Sequence, residues 1–326
     1  MGIEWIVLIV VLGLIFDYTN GFHDAANVVS TVIATRVLAP AVAILMATGF
    51  NILGATQISG VAQTITSGIV DVKAASQALV LAGVTGAIAW NLLTWYFAIP
   101  SSSSYALVGG LVGAAWVQGG SHLILWEGVV AKVAIPMVIS PIVGFCLAFA
   151  LMKLLLRLKD RPLFSKLQIG SAAVVALSHG LNDAQKSMGL ITLGLFAGGL
   201  IKTPLIPLWV VLACAAVMGL GTAFGGFRII RTMGFGITRL KPVQGFAAEL
   251  SASCVILTAS FLGMPVSSTH IIVGSITGVG SAKGMRHVQW ETARKLGIAW
   301  VLTLPGSAFI AALSYKLFLT IFSSIN

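Results

Sequence analysis

Two dissimilar motifs each occur twice in this chain. Residues 20 to 27 read N-G-F-H-D-A-A-N and residues 179 to 186 read H-G-L-N-D-A-Q-K. Residues 98 to 110 read A-I-P-S-S-S-S-Y-A-L-V-G-G and residues 263 to 275 read G-M-P-V-S-S-T-H-I-I-V-G-S. The copies lie at nearly the same separation, 159 residues from Asp24 to Asp183 and 165 from Pro100 to Pro265. A shared offset across two unrelated motifs marks an internal duplication. The chain must adopt a fold that two similar halves, 1–160 and 161–326, can build together.

The setting of these halves is apolar. Hydrophobic residues make up 58% of the chain, charged residues 9%, and the mean hydropathy is +1.01. A soluble domain carries about 25% charged residues, so the composition indicates an all-α integral membrane protein. A bilayer is crossed by about 20 apolar residues. Such stretches fall near 3–19, 38–60, 74–98, 128–157, 205–226, 243–262 and 292–322. Shorter pieces near 24–35, 102–118, 168–180, 183–199 and 266–282 are broken by Gly, Pro or polar residues. Together they predict about 10–12 membrane segments, some of them discontinuous. Broken helices in lipid must be buried in protein or line a cavity, so these segments point at a site. The first span carries Glu4, lacks a basic leader and runs into the Asp17 to Asp24 motif, which reads as a retained segment. Cys146, Cys214 and Cys254 are scattered singly in apolar sequence and read as core thiols.

The net charge of +10 is located in loops. One loop holds Lys153, Arg157, Lys159, Arg161 and Lys166; a second holds Arg228, Arg231, Arg239 and Lys241; a third holds Lys283, Arg286, Arg294 and Lys295. No base-stacking motif accompanies them, so nucleic acid is not an expected partner. The positive-inside rule places them in the cytoplasm. The first-half equivalents of the last two loops carry only Lys73 and Lys132 and are expected outside. Equivalent loops on opposite faces imply inverted-topology repeats in the cell inner membrane, with both termini external. Many secondary transporters use this plan, with sites near the midplane where discontinuous helices meet.

Asp24, Asp183 and Glu249 are ionisable groups deep in apolar sequence, with Asp17 a weaker candidate. Such groups usually face a bundle interior or a polar pathway. Ser101, Ser102, Ser103 and Ser104 follow Pro100, and Ser267, Ser268 and Thr269 follow Pro265. Hydroxyls and free backbone N–H groups at a helix start make an anion site; the plainer alternatives are N-capping and packing between helices. Several carboxylates beside an anion repel it by several kcal/mol at low dielectric. Lys186, aligned with Asn27, offsets only part of that charge. The anion therefore needs protons, sodium or a chelated divalent metal as company, held by Asp24, Asp183 and the amides Asn27 and Asn182.

At these residues the chain resembles the inorganic phosphate transporter (PiT) family, bacterial type. The motifs are G-F-H-D-A-A-N at 21–27, P-S-S-S-S at 100–104, H-G-L-N-D-A-Q-K at 179–186, Q-G-F-A-A-E at 244–249 and P-V-S-S-T-H at 265–270. The resemblance covers essentially the whole chain. It implies a symporter for inorganic phosphate working by alternating access, coupled to sodium in some members and to protons in many bacterial ones. A neutral metal–phosphate complex is a further implied form of cargo, no resident cofactor is implied, and a homodimer is. Sulfate permeases belong to the same family, so sulfate stays an alternative anion. By motif match, Asn27, Lys186 and the Ser/Thr runs look like the substrate site. Asp24, Asp183, Asn182, Glu249, His23 and His179 look like the coupling-cation site.

The sequence departs from the commonest repeat motif G-A-N-D-x-x-N. His23 aligns with Asn182 and His179 with Asn20, so His and Asn trade places, and Lys186 replaces the amide seen as Asn27. A lysine where a cation ligand is expected, with histidines that titrate near neutrality, favours protons over a symmetric sodium pair. For His23 and His179 the plainer role is a neutral ring holding a broken helix; for His270 it is capping beside Thr269. His122 and His287 sit in loops. Hydrogen phosphate can donate to a carboxylate whereas sulfate only accepts, which leans towards phosphate. A duplicated nucleophile without a G-x-S-x-G turn argues against an enzyme, and coupled acids argue against an anion channel.

Overall fold

The computed structural model describes residues 3–57, 60–158 and 162–323. Among these, twelve α-helices carry the architecture. They are α1 (Ile3–Ala34), α2 (Pro40–Ala55), α3 (Gly60–Ser67), α4 (Gln77–Tyr96), α5 (Ser103–Gly119) and α6 (Trp126–Leu155), then α7 (Leu163–Ala197), α8 (Leu208–Phe224), α9 (Phe227–Phe235), α10 (Pro242–Phe261), α11 (Ser268–Lys283) and α12 (Trp290–Ser323). Their lengths run 32, 16, 8, 20, 17 and 30 residues in the first six and 35, 17, 9, 20, 16 and 34 in the second six. The duplication seen in two motifs thus extends to every element. Lys159 and Arg161 of the expected basic loop, and the expected boundary between 160 and 161, lie outside the described residues.

Packing repeats with the halves exchanged. Helix α2 lies against α7 and α8 against α1; α5 lies against α12 and α11 against α6; α3 touches α7 and α9 touches α1. The halves interlock in one core, and neither forms a lobe of its own. On the outside, Val138, Ile142 and Leu154 of α6 and Val301, Phe309 and Leu317 of α12 are exposed. A continuous exposed apolar surface is a liability in water and the norm for a membrane protein. Five helices, α1, α4, α6, α10 and α12, are individually long and apolar enough to cross a bilayer, or up to seven spans if each of the bent pairs α2–α3 and α8–α9 counts as one. The number of self-sufficient spans is therefore smaller than the number of helices. Helices α5 and α11 are too short to span and are buried by their neighbours, and α7 carries His179, Asp183 and Lys186 through its middle.

Local sequence explains the breaks. Helix α8 ends at Gly225, whose φ of 62° suits glycine, and α9 leaves at 70° to α8. Pro100 and Pro265 end the extended approaches to α5 and α11, where Ser102 and Ser267 are the N-caps. One expectation fails. The duplicated Gly-containing motif was expected on broken helices, yet α1 runs unbroken through Asp24 and α7 unbroken through Asp183. The glycines there allow close approach instead of a turn. A Cβ on Gly21 would stand 2.5 Å from the Met218 carbonyl oxygen, and one on Gly180 would stand 2.1 Å from that of Asn51.

Candidate functional site

Helices α1 and α7 carry the carboxylates, and α5 and α11 present their first turns to them. Ser103 donates to Asp24 Oδ2 at 2.8 Å, and Ser268 donates to Asp183 Oδ2 at 2.9 Å. These are the same contact made twice, once per half. A second matched pair crosses between halves. Asn27 Nδ2 donates to Thr269 at 2.9 Å and to Ser268 at 3.1 Å, while Lys186, its counterpart, donates to Ser104. Ser104 in turn donates to the Val266 carbonyl at 2.9 Å, so the starts of α5 and α11 abut.

The exchange of His and Asn acquires a meaning here. His23 Nδ1 lies 2.8 Å from Asp24 Oδ1, and His179 Nε2 lies 2.9 Å from Asp183 Oδ2. One imidazole reaches its carboxylate from the next residue and the other from one helical turn away, so each carboxylate has one. Asn20, the counterpart of His179, accepts from Ser103 at 2.6 Å. Asp183 additionally holds the Lys186 ammonium at 2.5 Å, and Lys186 also donates to the Val266 carbonyl at 3.1 Å. Asp24, His179 and Asp183 bring ligand atoms within 4.8 Å of one another. With both imidazoles neutral, the two carboxylates and one ammonium carry a net charge of −1. Every one of these groups is buried.

Chemically, such a cluster can do two things. The hydroxyls of Ser103, Ser104, Ser268 and Thr269, the Lys186 ammonium and the free N–H groups of two helix starts can hold an oxyanion. The carboxylates, imidazoles and the unpartnered amide oxygen Asn27 Oδ1 can hold a cation or proton.

Not every expected residue belongs to this cluster. The side chains of Ser102 and Ser267 are engaged as N-caps, accepting from the Tyr105 and His270 backbone amides. His270 caps nothing with its ring, which stacks on Trp300 at 4.0 Å. Ser101 bonds Thr94 at 2.8 Å and stands 3.5 Å from His23 Nε2, forming a layer behind the carboxylate. Asn182 turns away, donating to Ser260 at 2.8 Å and to the Met264 carbonyl at 3.2 Å. Glu249 sits in a cage of its own, accepting from Thr31 at 2.5 Å, from Gln168 at 3.0 Å and from Ser171. Thr31 is two helical turns beyond Asp24 on α1, which puts Glu249 about 10 Å from the cluster. Asp17 is separate again, bonded to Ser187 at 2.7 Å.

Several members escaped sequence reading. Thr94, Thr31, Gln168 and Ser171 are ordinary polar residues on helices, with no motif around them. Asn51 could have been found: it is a polar residue in an apolar span, and it bonds His179 Nδ1 at 3.1 Å and Thr222 at 2.9 Å.

The chain is similar over nearly its whole length to known proteins. The sequence model described as "Phosphate transporter family" matches twice, over residues 20–162 and 157–311. A protein of Rhizobium meliloti named "Probable low-affinity inorganic phosphate transporter" is 44% identical over 319 residues, 95% of either chain. A Bacillus subtilis protein of the same name is 43% identical over 326 residues, covering 97% of this chain and 98% of its own. The solved structure "The sodium-dependent phosphate transporter" superposes with a TM-score of 0.90 at 25% identity, over 98% of this chain and 100% of that one. The relatives named here are transporters and not enzymes. A helical membrane architecture, a duplicated family match and close full-length relatives lead to one conclusion: this chain belongs to the phosphate transporter family.

Proposed function

We propose that the chain is a secondary active transporter that carries inorganic phosphate together with protons, by alternating access between two inverted halves, 1–160 and 161–326. Phosphate as cargo is supported by the names of the relatives and by the site. Hydrogen phosphate can give its remaining proton to Asp24 or Asp183 and accept from Lys186, and from the four hydroxyls once they turn from their present acceptors, whereas sulfate leaves a carboxylate facing a purely accepting anion.

The observation that carries proton coupling is the imidazole on each carboxylate, His23 on Asp24 and His179 on Asp183. The Ser103 hydroxyl adds to it. It has one proton and two acceptors, Asn20 Oδ1 at 2.6 Å and Asp24 Oδ2 at 2.8 Å, and a proton on Asp24 completes the second contact. A route is also at hand. Thr94 lines a cavity of about 580 Å³ with Pro100, Thr232 and Lys295, and its hydroxyl joins Ser101 at 2.8 Å and His23 Nε2 at 3.4 Å.

Sodium coupling is the second reading, favoured by the name of the solved structure that this chain resembles. Lys186 weighs against it, because its ammonium stands where the first half offers an amide. A divalent metal travelling with phosphate is a third form, for which Asp24, His179 and Asp183 are the donors. We place the basic loops in the cytoplasm, both termini outside and the protein in the inner membrane, on the strength of the loop charges. A homodimer is the assembly we expect.

Uptake of labelled phosphate into proteoliposomes under imposed pH or sodium gradients tests the coupling, and competition with unlabelled sulfate tests the anion. Inhibition by sulfate as strong as by phosphate would overturn the choice of cargo.

A further inference from the structure

Five polar residues of α1, Asp17, Asn20, Asp24, Asn27 and Thr31, follow one another at alternating steps of three and four, which aligns them on one face of the helix. All five are buried. Four of them already have a place. Asn20 and Asp24 share the Ser103 hydroxyl, Asn27 donates to Ser268 and Thr269, and Thr31 donates to Glu249. Asp17 ends the row, about 10 Å before Asp24 along the helix axis.

The Asp17 carboxyl is sparsely held. Ser187 of α7 donates to Oδ1 at 2.7 Å, and Oδ2 has no hydrogen-bond partner. The titratable groups that face it are the Cys214 thiol of α8, beside the carboxyl, and Asp183 and Lys186 of α7. The Lys186 ammonium is taken up by Asp183, Ser104 and the Val266 carbonyl, and among the described residues Asp17 joins no ion pair. A buried acid with one donor and no cation on it is a costly way to join two helices.

The second half shows that the helix contact does not need it. At the 159-residue spacing the counterpart of Asp17 is Ala176 and that of Ser187 is Val28, both buried. Apolar side chains fill the same places there. Asn20 supplies a second, independent observation. Its Oδ1 accepts from Ser103, which fixes which way round the amide stands, and its buried Nδ2 has no partner. Buried polar atoms are normally satisfied. An unpaired Nδ2 and an unpaired Oδ2, one helical turn apart on one face, are the contacts that an inserted water would make.

We propose that Asp17 is a proton-holding station for transport: its carboxyl takes a proton from the side of the membrane on which α1 begins and passes it, through water oriented by Asn20 Nδ2, to the Asp24 carboxylate. The proton that leaves Asp17 is the one that arrives on Asp24, and no other bond changes in the balance. Asp17 is then reloaded from the side it serves. With Ala176 in its place, the second half has no such station, so the relay belongs to one side only. This inference rests on the proton-coupled reading given above.

The test uses the purified full chain in proteoliposomes without sodium or divalent metals. Two rates are read with labelled phosphate: counterflow exchange at equal pH on both sides, which needs no net proton movement, and accumulation driven by an acidic exterior. Asp17→Asn should exchange as the wild type does and lose the accumulation. Ser187→Ala removes the Ser187 hydrogen bond but leaves the carboxyl, and it should keep both. A merely structural tie between α1 and α7 would make the two variants behave alike. Accumulation in Asp17→Asn equal to the wild type, loss of its exchange as well, or the same defect in Ser187→Ala each overturns the proposal while proton coupling stands. A wild type that exchanges phosphate but ignores the pH gradient overturns proton coupling and this proposal together.

Discussion

Lys186 and Asn27 occupy equivalent places and do different work. Asn27 ties α1 to the hydroxyls of α11, whereas Lys186 ties α7 to Ser104 of α5 and neutralises Asp183 as well. A buried pair of this kind is costly to break from one side, by about 3–5 kcal/mol, because the surviving charge is left without a partner. Lys186→Met alone and Asp183→Asn alone should therefore each lower unfolding stability by about that much, and the double variant by clearly less than their sum; strict additivity in a denaturant or thermal series would refute the pairing. We propose a role in coupling for Glu249 as well, in its separate cage of three donors. Glu249→Gln should lose uptake while the protein still reaches the membrane, and near-normal uptake would remove Glu249 from the mechanism. The residue scale is also where sequence reading was least complete. It registered the exchange of His and Asn between copies as a difference, but one residue and one helical turn are equally good ways to reach a carboxylate, and only the structure reveals that each Asp keeps one imidazole. Runs of hydroxyls do not declare which member turns back to cap its helix, so Ser102 and Ser267 read as substrate ligands in the sequence and are N-caps in the structure.

At the scale of elements, the glycines of the duplicated motif set how closely helices pack. Gly180→Ala would press a methyl against the Asn51 carbonyl, with no flexible side chain to give way, so α2 and α7 must separate. We expect a loss of about 1–3 kcal/mol or more in a melting series, in the range of overpacked sites, with reduced uptake because His179 is adjacent. Gly49→Ala, whose new Cβ meets nothing within 4 Å, should stay within about 1 kcal/mol of wild type and serves as the control. Most helices were legible in the hydropathy of the sequence, because burial in lipid and burial in protein both demand apolar residues. Continuity of α1 and α7 was not. A glycine beside polar residues looks alike whether it breaks a helix or admits a neighbour, and only the packing partner decides.

At the scale of the whole molecule, each half completes the other. Helix α5 rests on α12 and α11 on α6, and the two Ser-capped helix starts meet at Ser104 and Val266 between the carboxylates of α1 and α7. The duplication was legible because both motifs recur at one offset. The interlocking was not, since a repeat seen in sequence is equally compatible with two separate lobes. We propose that a site built in duplicate at such a junction is offered to one side of the membrane or the other by moving the halves against each other, and that an anion enters it with cations, because with both imidazoles neutral its own groups carry a charge of −1. Our central claim is that those cations are protons. Proteoliposomes containing the purified protein, with sodium and divalent metals removed and an acidic exterior imposed, should accumulate labelled phosphate above its equilibrium level and lose that accumulation when the pH gradient is dissipated by a protonophore together with a potassium clamp. Accumulation that ignores the pH gradient and appears only with an inward sodium gradient would contradict the account.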